Sequence, residues 1–374
     1  MLDPVIQWFA RVFAAIGRGV GTLIAAILWP FAAGARWYRR RGSIVRIAVA
    51  ATVAAFLLLN AYFMWQTQVW ADFDPDYADK YDAMPTTVSA GEAVAPEGDA
   101  QTARTCAPSQ IVQAASDLTR FNVDENSWIP SMLFYKLGFF GIDWANTPFF
   151  DNKASFQLGV HSAVQRTTVE LTDTLGRVRG TSEIDPDLRN ARGALQFDEA
   201  TWYFGLDPFG PKTPTPSFYR TGAENLDRFN VRLTQCDATF DPRADNLINL
   251  VDRIASDIGS TSEAIRNRAE LRNSGWFDFR ADNEFWRSVG QLYGYYGVLK
   301  ASQTDFADVI QTRGLTALWD RMEEQLRTAL ELSPLVVSNG DEDGIVMPTH
   351  LTTMGFYVLR VRANLTEIRD VLRR

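Results

Sequence analysis

Two near-identical heptapeptides carry the densest chemistry in the chain: Phe240–Asn246 reads FDPRADN and Phe277–Asn283 reads FDFRADN. The first supplies Asp241, Arg243, Asp245 and Asn246; the second supplies Asp278, Arg280, Asp282 and Asn283. Arginines flanked by carboxylates can form an ion-pair network. If they converge on one cleft, they can hold an anionic or glycan ligand by bidentate contact. The same residue types also start helices. Asp and Asn just before or within a first turn accept from the orphan backbone N–H groups and favour the positive end of the helix dipole. A long apolar helical pattern follows each heptapeptide, so two helix starts account for the acids. A shared anionic site is the alternative that would also explain why the arginine recurs.

Other clusters invite the same test. In NGDEDG, Asn339, Asp341, Asp343 and Gly344 match the first half of a calcium-binding EF-hand loop. The last ligand position should hold a bidentate Glu and holds His350, with Pro348 intervening, so the stretch reads as a solvated acidic turn. In DTLGRVRGTSEIDPDL, Asp173, Arg177, Arg179, Ser182, Glu183, Asp185 and Asp187 set carboxylates beside arginines, a pairing that can do acid–base work on a glycan. No spacing rule singles out a pair there, and helix capping accounts for these residues. His161 and His350 are the only histidines, and neither has metal-ligand spacing. There is no nucleophile elbow, P-loop or dinucleotide fingerprint. No catalytic residue, metal or cofactor is assigned, and the reading favours a non-enzymatic role.

The elements that must position these residues are mostly helices. Apolar residues recur with a helical period from Pro108 to the end, with Asp185-Pro186 as a helix start signal and Thr349 capping the last helix. Gly290 and Gly294, four apart, would let another backbone approach, and the neighbouring Phe285, Trp286, Tyr293, Tyr295 and Tyr296 suit dense core packing. The proline-rich stretch Phe204–Tyr219 is expected to lack regular structure. One minor β-hairpin is expected around Asn339-Gly340. The fold class is thus mainly α: an N-terminal membrane anchor plus an exported helical domain.

Charge divides the chain. The first 46 residues hold seven arginines and one acid, whereas Ala71–Ala100 holds eight acids and one base, Lys80. Between them runs the apolar stretch Ile47–Trp65, 19 residues long, which at 1.5 Å per residue just crosses a hydrocarbon core of about 30 Å. The positive-inside rule places the arginines in the cytoplasm and everything after residue 70 across the membrane. The stretch starts too late and runs too long for a cleaved signal peptide, so it reads as a signal-anchor. The expected organisation is a basic amphipathic cytoplasmic or interfacial segment at 1–43, a transmembrane helix at 44–69, an acidic flexible linker at 70–107 and a helical domain at 108–374. Gly19–Ala35 is short for a second span, and its Pro30 and glycines favour an interfacial or re-entrant segment. Cys106 and Cys236 both fall on the exported side, where an oxidising compartment permits a disulfide; free thiols are the alternative. The net charge of −8 belongs to the exported part and argues against nucleic acid as a partner.

Five stretches also carry a family resemblance: DNKASFQLGV (Asp151–Val160), LGRVRGTSEIDPDLRNA (Leu175–Ala191), FDPRADNL (Phe240–Leu247), ADNEFW with the following YGYYGVL, and VVSNGDEDGIVMPTHL (Val336–Leu351). They resemble the uncharacterised proteobacterial inner-membrane family catalogued as domain-of-unknown-function family 2333. The resemblance implies a Gram-negative inner-membrane protein with a periplasmic domain, and no activity. The expectation is an envelope interaction or scaffold protein whose partners are the lipid bilayer and other envelope proteins, with a homo-oligomer left open. A periplasmic enzyme or ligand-binding domain built on the Asp/Arg clusters is the competing class.

Overall fold

The structure is a computed structural model that describes residues 18–19, 21–22, 25–26, 28–82, 89–94, 105–138, 141–147, 149–178, 182–271, 278–340 and 349–374. The expected amphipathic segment at the N-terminus lies largely outside them. The chain divides into two compact units, Met1–Phe63 and Met64–Arg374.

In the first unit, residues 28–39 are helical through Pro30. Helix α1, Ser43–Gln68, follows, with 26 residues and a mean hydropathy of 2.1. At 1.5 Å per residue it is about 39 Å long, more than a hydrocarbon core requires. Its polar side chains serve the helix itself: Thr52 donates to the Ala48 carbonyl and Asn60 to that of Phe56.

The second unit begins in the last turn of α1. Its centre is a pair of parallel helices, α3 (Asn152–Glu170) and α7 (Ala281–Asp305). The two backbones meet through glycine: a Cβ on Gly290 would lie 2.0 Å from the Phe156 carbonyl oxygen, and one on Gly159 would lie 2.1 Å from that of Arg287. Around this pair lie α2 (Gln110–Arg120), α4 (Pro186–Leu195), α5 (Thr215–Thr234), α6 (Ala244–Leu271), α8 (Thr316–Leu330) and α9 (His350–Leu372). Helix α6 runs along α9, α4 along α5, and α2 packs on α5 and α7. Phe285, Tyr293, Tyr295 and Tyr296 are buried in the core and Trp286 packs against it. Of the two start signals read, Asp185 works as a side-chain cap, whereas Thr349 stands at the start of α9 without a side-chain cap hydrogen bond. Asp185 accepts from the N–H groups of Asp187 and Leu188, and Ser109 caps α2 by accepting from Val112. Asp305, from the far end of α7, completes the α2 start by accepting from Ser109, Gln110 and Ile111.

Two expectations need correction. Residues 70–82 are not a flexible spacer. Trp70 packs on Phe156 and Trp286, Phe73 on Tyr293, and Tyr77 stacks on Tyr293 at 4.1 Å between ring centroids. Ala78 and Tyr81 are buried as well. Apolar residues spaced three and four apart hide here among acids, and Arg327 offsets two of those acids, Asp76 and Asp79. Further on, β1 (Ala93–Val94) pairs antiparallel with β2 (Thr105–Cys106), while residues 83–88 and 95–104 lie outside the described part. The proline-rich stretch is not wholly irregular either. There β3 (Phe204–Leu206) pairs with β4 (Phe209–Pro211), a two-stranded ribbon that leaves proline at an edge where no ladder donor is needed. The hairpin expected around Asn339-Gly340 falls mostly outside the described residues; Asn339 and Thr349 form an isolated antiparallel bridge.

Candidate functional site

The structure separates the two heptapeptides. The first lies at the C-terminal end of α3, where the Asp241 N–H donates to the Leu175 carbonyl. The second lies at the opposite end, where Arg280 Nε donates to Asn146 Oδ1 at 2.9 Å and Asn283 Nδ2 to the Ala145 carbonyl at 3.0 Å, just ahead of the α3 start. The intervening α3 and its π-helical continuation, Leu171–Leu175, set them roughly 35 Å apart. Each also has its own pairing. Arg243 clamps Asp241 at 2.8 Å and reaches Asp245 at 3.3 Å, while Asn246 donates to the Asp241 carbonyl. In the second, buried Asp278 is held by Arg268 and by Asn339 Nδ2 at 2.9 Å. Three acids of DTLGRVRGTSEIDPDL are likewise paired: Asp173 with Arg192, and Asp185 and Asp187 with Arg232. His161 is buried, stacks on Tyr219, and is held neutral by burial, which pushes its pKa down to about 3. His350 Nδ1 accepts from the Ser338 N–H.

The remaining acid of the second heptapeptide has a different neighbour. Asp282, 3% exposed, lies beside Asp151, 0% exposed, so the parallel α3 and α7 bury a carboxyl each at a shared N-terminal end. Among the described residues neither oxygen of Asp151 has a partner within hydrogen-bond distance, although the Asn283 amide lies near enough to favour its charged form. Burial pushes Asp151 up to about 9, with Asp282 adding and the Asn283 amide opposing; burial pushes Asp282 up to about 7. Desolvation outweighs the pull of two helix dipoles. Two residues on, the Lys153 ammonium donates to the Gln66 and Val69 carbonyls at 3.1 and 2.6 Å, capping the C-terminal end of α1.

An open cleft of about 490 Å³ lies elsewhere, built from the segment after α1 and from the end of α2. Its floor is aromatic: Phe73, Tyr77, Phe121 and Tyr293. Its walls carry Asp72, Asp74, Asp76, Asp117 and Glu125, with Lys80. Asn126 positions one wall by exchanging two hydrogen bonds with the Ala71 backbone, which brings Asp72 toward Glu125. Asp117 is matched by Lys80 at 2.8 Å and Asp76 by Arg327 at 2.8 Å. Asp72, Asp74 and Glu125 have no ion-pair partner among the described residues. Burial raises the Glu125 carboxyl above its ordinary range, with Asp72 adding and Lys80 opposing. Tyr293 is 1% exposed yet lines the cleft; burial raises its phenol, the Asp74 N–H opposes, and the Asp74, Glu125 and Asp72 carboxylates add. The phenol proton has no acceptor among the described residues. The arrangement presents uncompensated negative charge around an apolar floor, which suits an organic cation with an apolar stem. Acidic composition suggested a linker and so hid this cleft; the spacing of Trp70, Phe73, Tyr77 and Tyr81 was the signal that would have found it.

Fold and site together define a class: a mainly helical domain, tied by a Cys106–Cys236 disulfide with Cα atoms 5.3 Å apart, that starts in the last turn of a helix apolar enough to cross a membrane. A disulfide is the chemistry of an oxidising, extracytoplasmic compartment. The chain belongs to the bacterial family described as Uncharacterized protein conserved in bacteria (DUF2333), matched over residues 52–274 and 266–374. No curated protein and no solved structure matches the chain.

Proposed function

We propose that this is a single-pass inner-membrane protein, N-terminus cytoplasmic and helical domain periplasmic, that works by binding other envelope proteins rather than by catalysing a reaction. The arginine asymmetry across α1 and the disulfide support the orientation. The observation that carries the binding role is the cleft, where Asp72, Asp74 and Glu125 stand unmatched around an aromatic floor directly after the anchor helix. The partner group it fits is a lysine or arginine side chain, whose stem lies on the floor while its head meets the carboxylates. The heptapeptides, about 35 Å apart along α3, do not supply the motive for an anion-binding enzyme.

The test is in-cell crosslinking of the full-length protein followed by mass spectrometry, with an Asp72→Asn/Asp74→Asn/Glu125→Gln variant alongside. Three exposed charge contacts of about 0.5 kcal/mol each give roughly a tenfold loss of capture in the variant. A partner captured equally by both proteins removes the cleft from the reading. The absence of any partner from either removes the interaction role itself.

A further inference from the structure

Between Met132 and Phe150 the chain reads MLFYKLGFFGIDWANTPFF, with only Lys136 and Asp143 charged. The described part of this segment is folded upon itself and fastened to the end of α1. Trp144 is its small core: buried, with its indole N–H donating to the Phe134 carbonyl at 2.8 Å and its ring 5.4 Å from that of Phe150. Gly138, at φ +70°, allows the return, since a Cβ there would sit 2.4 Å from the Ile142 carbonyl oxygen. That contact brings Leu137 and Ile142 close together. Gln68, the last residue of α1, then donates to the Phe149 carbonyl at 3.0 Å.

The apolar tips of this loop point away from the core: Leu137 is 60% exposed and Ile142 is 54% exposed. Phe279, 41% exposed, joins them through its neighbour Arg280, whose guanidinium bonds Asn146 of the loop. Other large apolar side chains are exposed too, Phe209 and Leu335 among them; Leu137 and Ile142 belong to the segment fastened beside the point where an apolar helix ends. Exposed aliphatic and aromatic groups with basic residues at their edge, here Lys136 and Arg280, are the composition of a membrane-interface contact.

We infer that this loop, with Phe279, is a second membrane contact, laid into the interfacial region of the same bilayer that α1 crosses. The occupant is lipid because the loop that carries the patch is fastened to the end of α1, where Gln68 bonds the Phe149 carbonyl. The inference rests on the reading of α1 as a transmembrane anchor and adds that the domain itself touches the membrane surface.

The described cysteines are both in the disulfide, so a new cysteine gives a single labelling site. The full-length protein carrying Leu137→Cys, Ile142→Cys, Leu57→Cys or Val231→Cys is labelled with an environment-sensitive fluorophore and reconstituted into phosphatidylethanolamine–phosphatidylglycerol vesicles. Quenching by lipid-borne nitroxides at two depths is compared with quenching by aqueous iodide. Position 57 reports the α1 span. Position 231, exposed on α5, is the aqueous control. The expected result is deep-nitroxide quenching at 57, blue-shifted emission with shallow-nitroxide quenching at 137 and 142, and iodide quenching at 231. If 57 is deep while 137 and 142 behave like 231, the loop does not touch lipid and the anchor reading stands. If 57 is quenched by iodide, the anchor reading falls and takes this inference with it. If 137 and 142 are shielded from both quenchers, protein covers the patch and the lipid assignment is overturned.

Discussion

Replacing Asp151 by asparagine isolates one buried proton. Asp151 is fully enclosed, has no partner within hydrogen-bond distance among the described residues and adjoins Asp282, and burial places its pKa at about 9. An unfolded Asp titrates near 3.9. Between these values the native state holds a proton that the unfolded state has released. Stability on this account is therefore fully present below about pH 4 and is lost as pH rises toward 9. The slope is about 1.4 kcal/mol per pH unit for one proton, so the wild type loses roughly 2.7 kcal/mol between pH 6.5 and 8.5 through Asp151 alone. Asparagine has the shape of the protonated acid and does not titrate. The two proteins should be close in stability below about pH 4; at neutral pH the variant should be the more stable, and its advantage should grow by about 2–3 kcal/mol between pH 6.5 and 8.5. Asp305, raised by burial to about 7, and Lys153, lowered by burial to about 8, titrate in both proteins and largely cancel in the difference, whereas Asp282, raised to about 7, is coupled to Asp151 and titrates with it as a pair. The assay is urea unfolding of the full-length protein in detergent micelles, followed by pulse proteolysis across that pH range. Parallel pH profiles for the two proteins would mean that Asp151 is ionised in the fold and that the buried-acid argument is wrong.

Three other perturbations test the framework. Gly290→Ala puts a methyl 2.0 Å from the Phe156 carbonyl oxygen and should destabilise by about 3 kcal/mol or more; Gly193→Ala, where nothing lies within 4 Å, should be neutral or slightly stabilising in the same melt. Lys153→Met removes the ammonium bonded to the Gln66 and Val69 carbonyls. It should cost about 1–3 kcal/mol and speed hydrogen exchange in the residues after Gln68 while leaving α9 unchanged. Cys106→Ser/Cys236→Ser opens a closure of 130 residues and should lower stability by up to about 5 kcal/mol, read as matching melts of the variant and the reduced wild type.

What the sequence made legible was local. The α1 span follows from its length and composition, the helix start at Asp185 from cap chemistry, and the close approach at Gly290 and Gly294 from the absence of a Cβ. What stayed hidden depends on partners far along the chain. Tyr77 looks like one aromatic among acids until its hydroxyl is seen to donate to the Tyr293 carbonyl, 216 positions on. Asp151 looks like an ordinary helix-start acid, and only the parallel packing of α7 buries it beside Asp282. The Met132–Phe150 loop was readable in principle, as an apolar run too rich in glycine and aromatics for a core helix, but its meaning depends on Gln68 tying it to the end of α1.

The two heptapeptides differ at one position, Pro242 against Phe279, and that difference carries information. Both positions lie two residues before the first helical residue, Ala244 or Ala281, so a proline there removes no intrahelical hydrogen bond and would serve in each if starting a helix were the whole task. The first heptapeptide, at the end of α3 away from α1, uses proline and pairs its arginine locally. The second carries an exposed phenylalanine and sends its arginine to the loop that Gln68 holds. A large apolar side chain left in water at a helix start gains nothing from the start itself. Its benefit has to come from a surface that covers it, and the position of Phe279 beside the Met132–Phe150 loop assigns that surface to the bilayer. Phe279→Pro should accordingly leave the helix start intact while weakening the interfacial quenching at Leu137→Cys, whereas unchanged quenching would confine Phe279 to a purely local role.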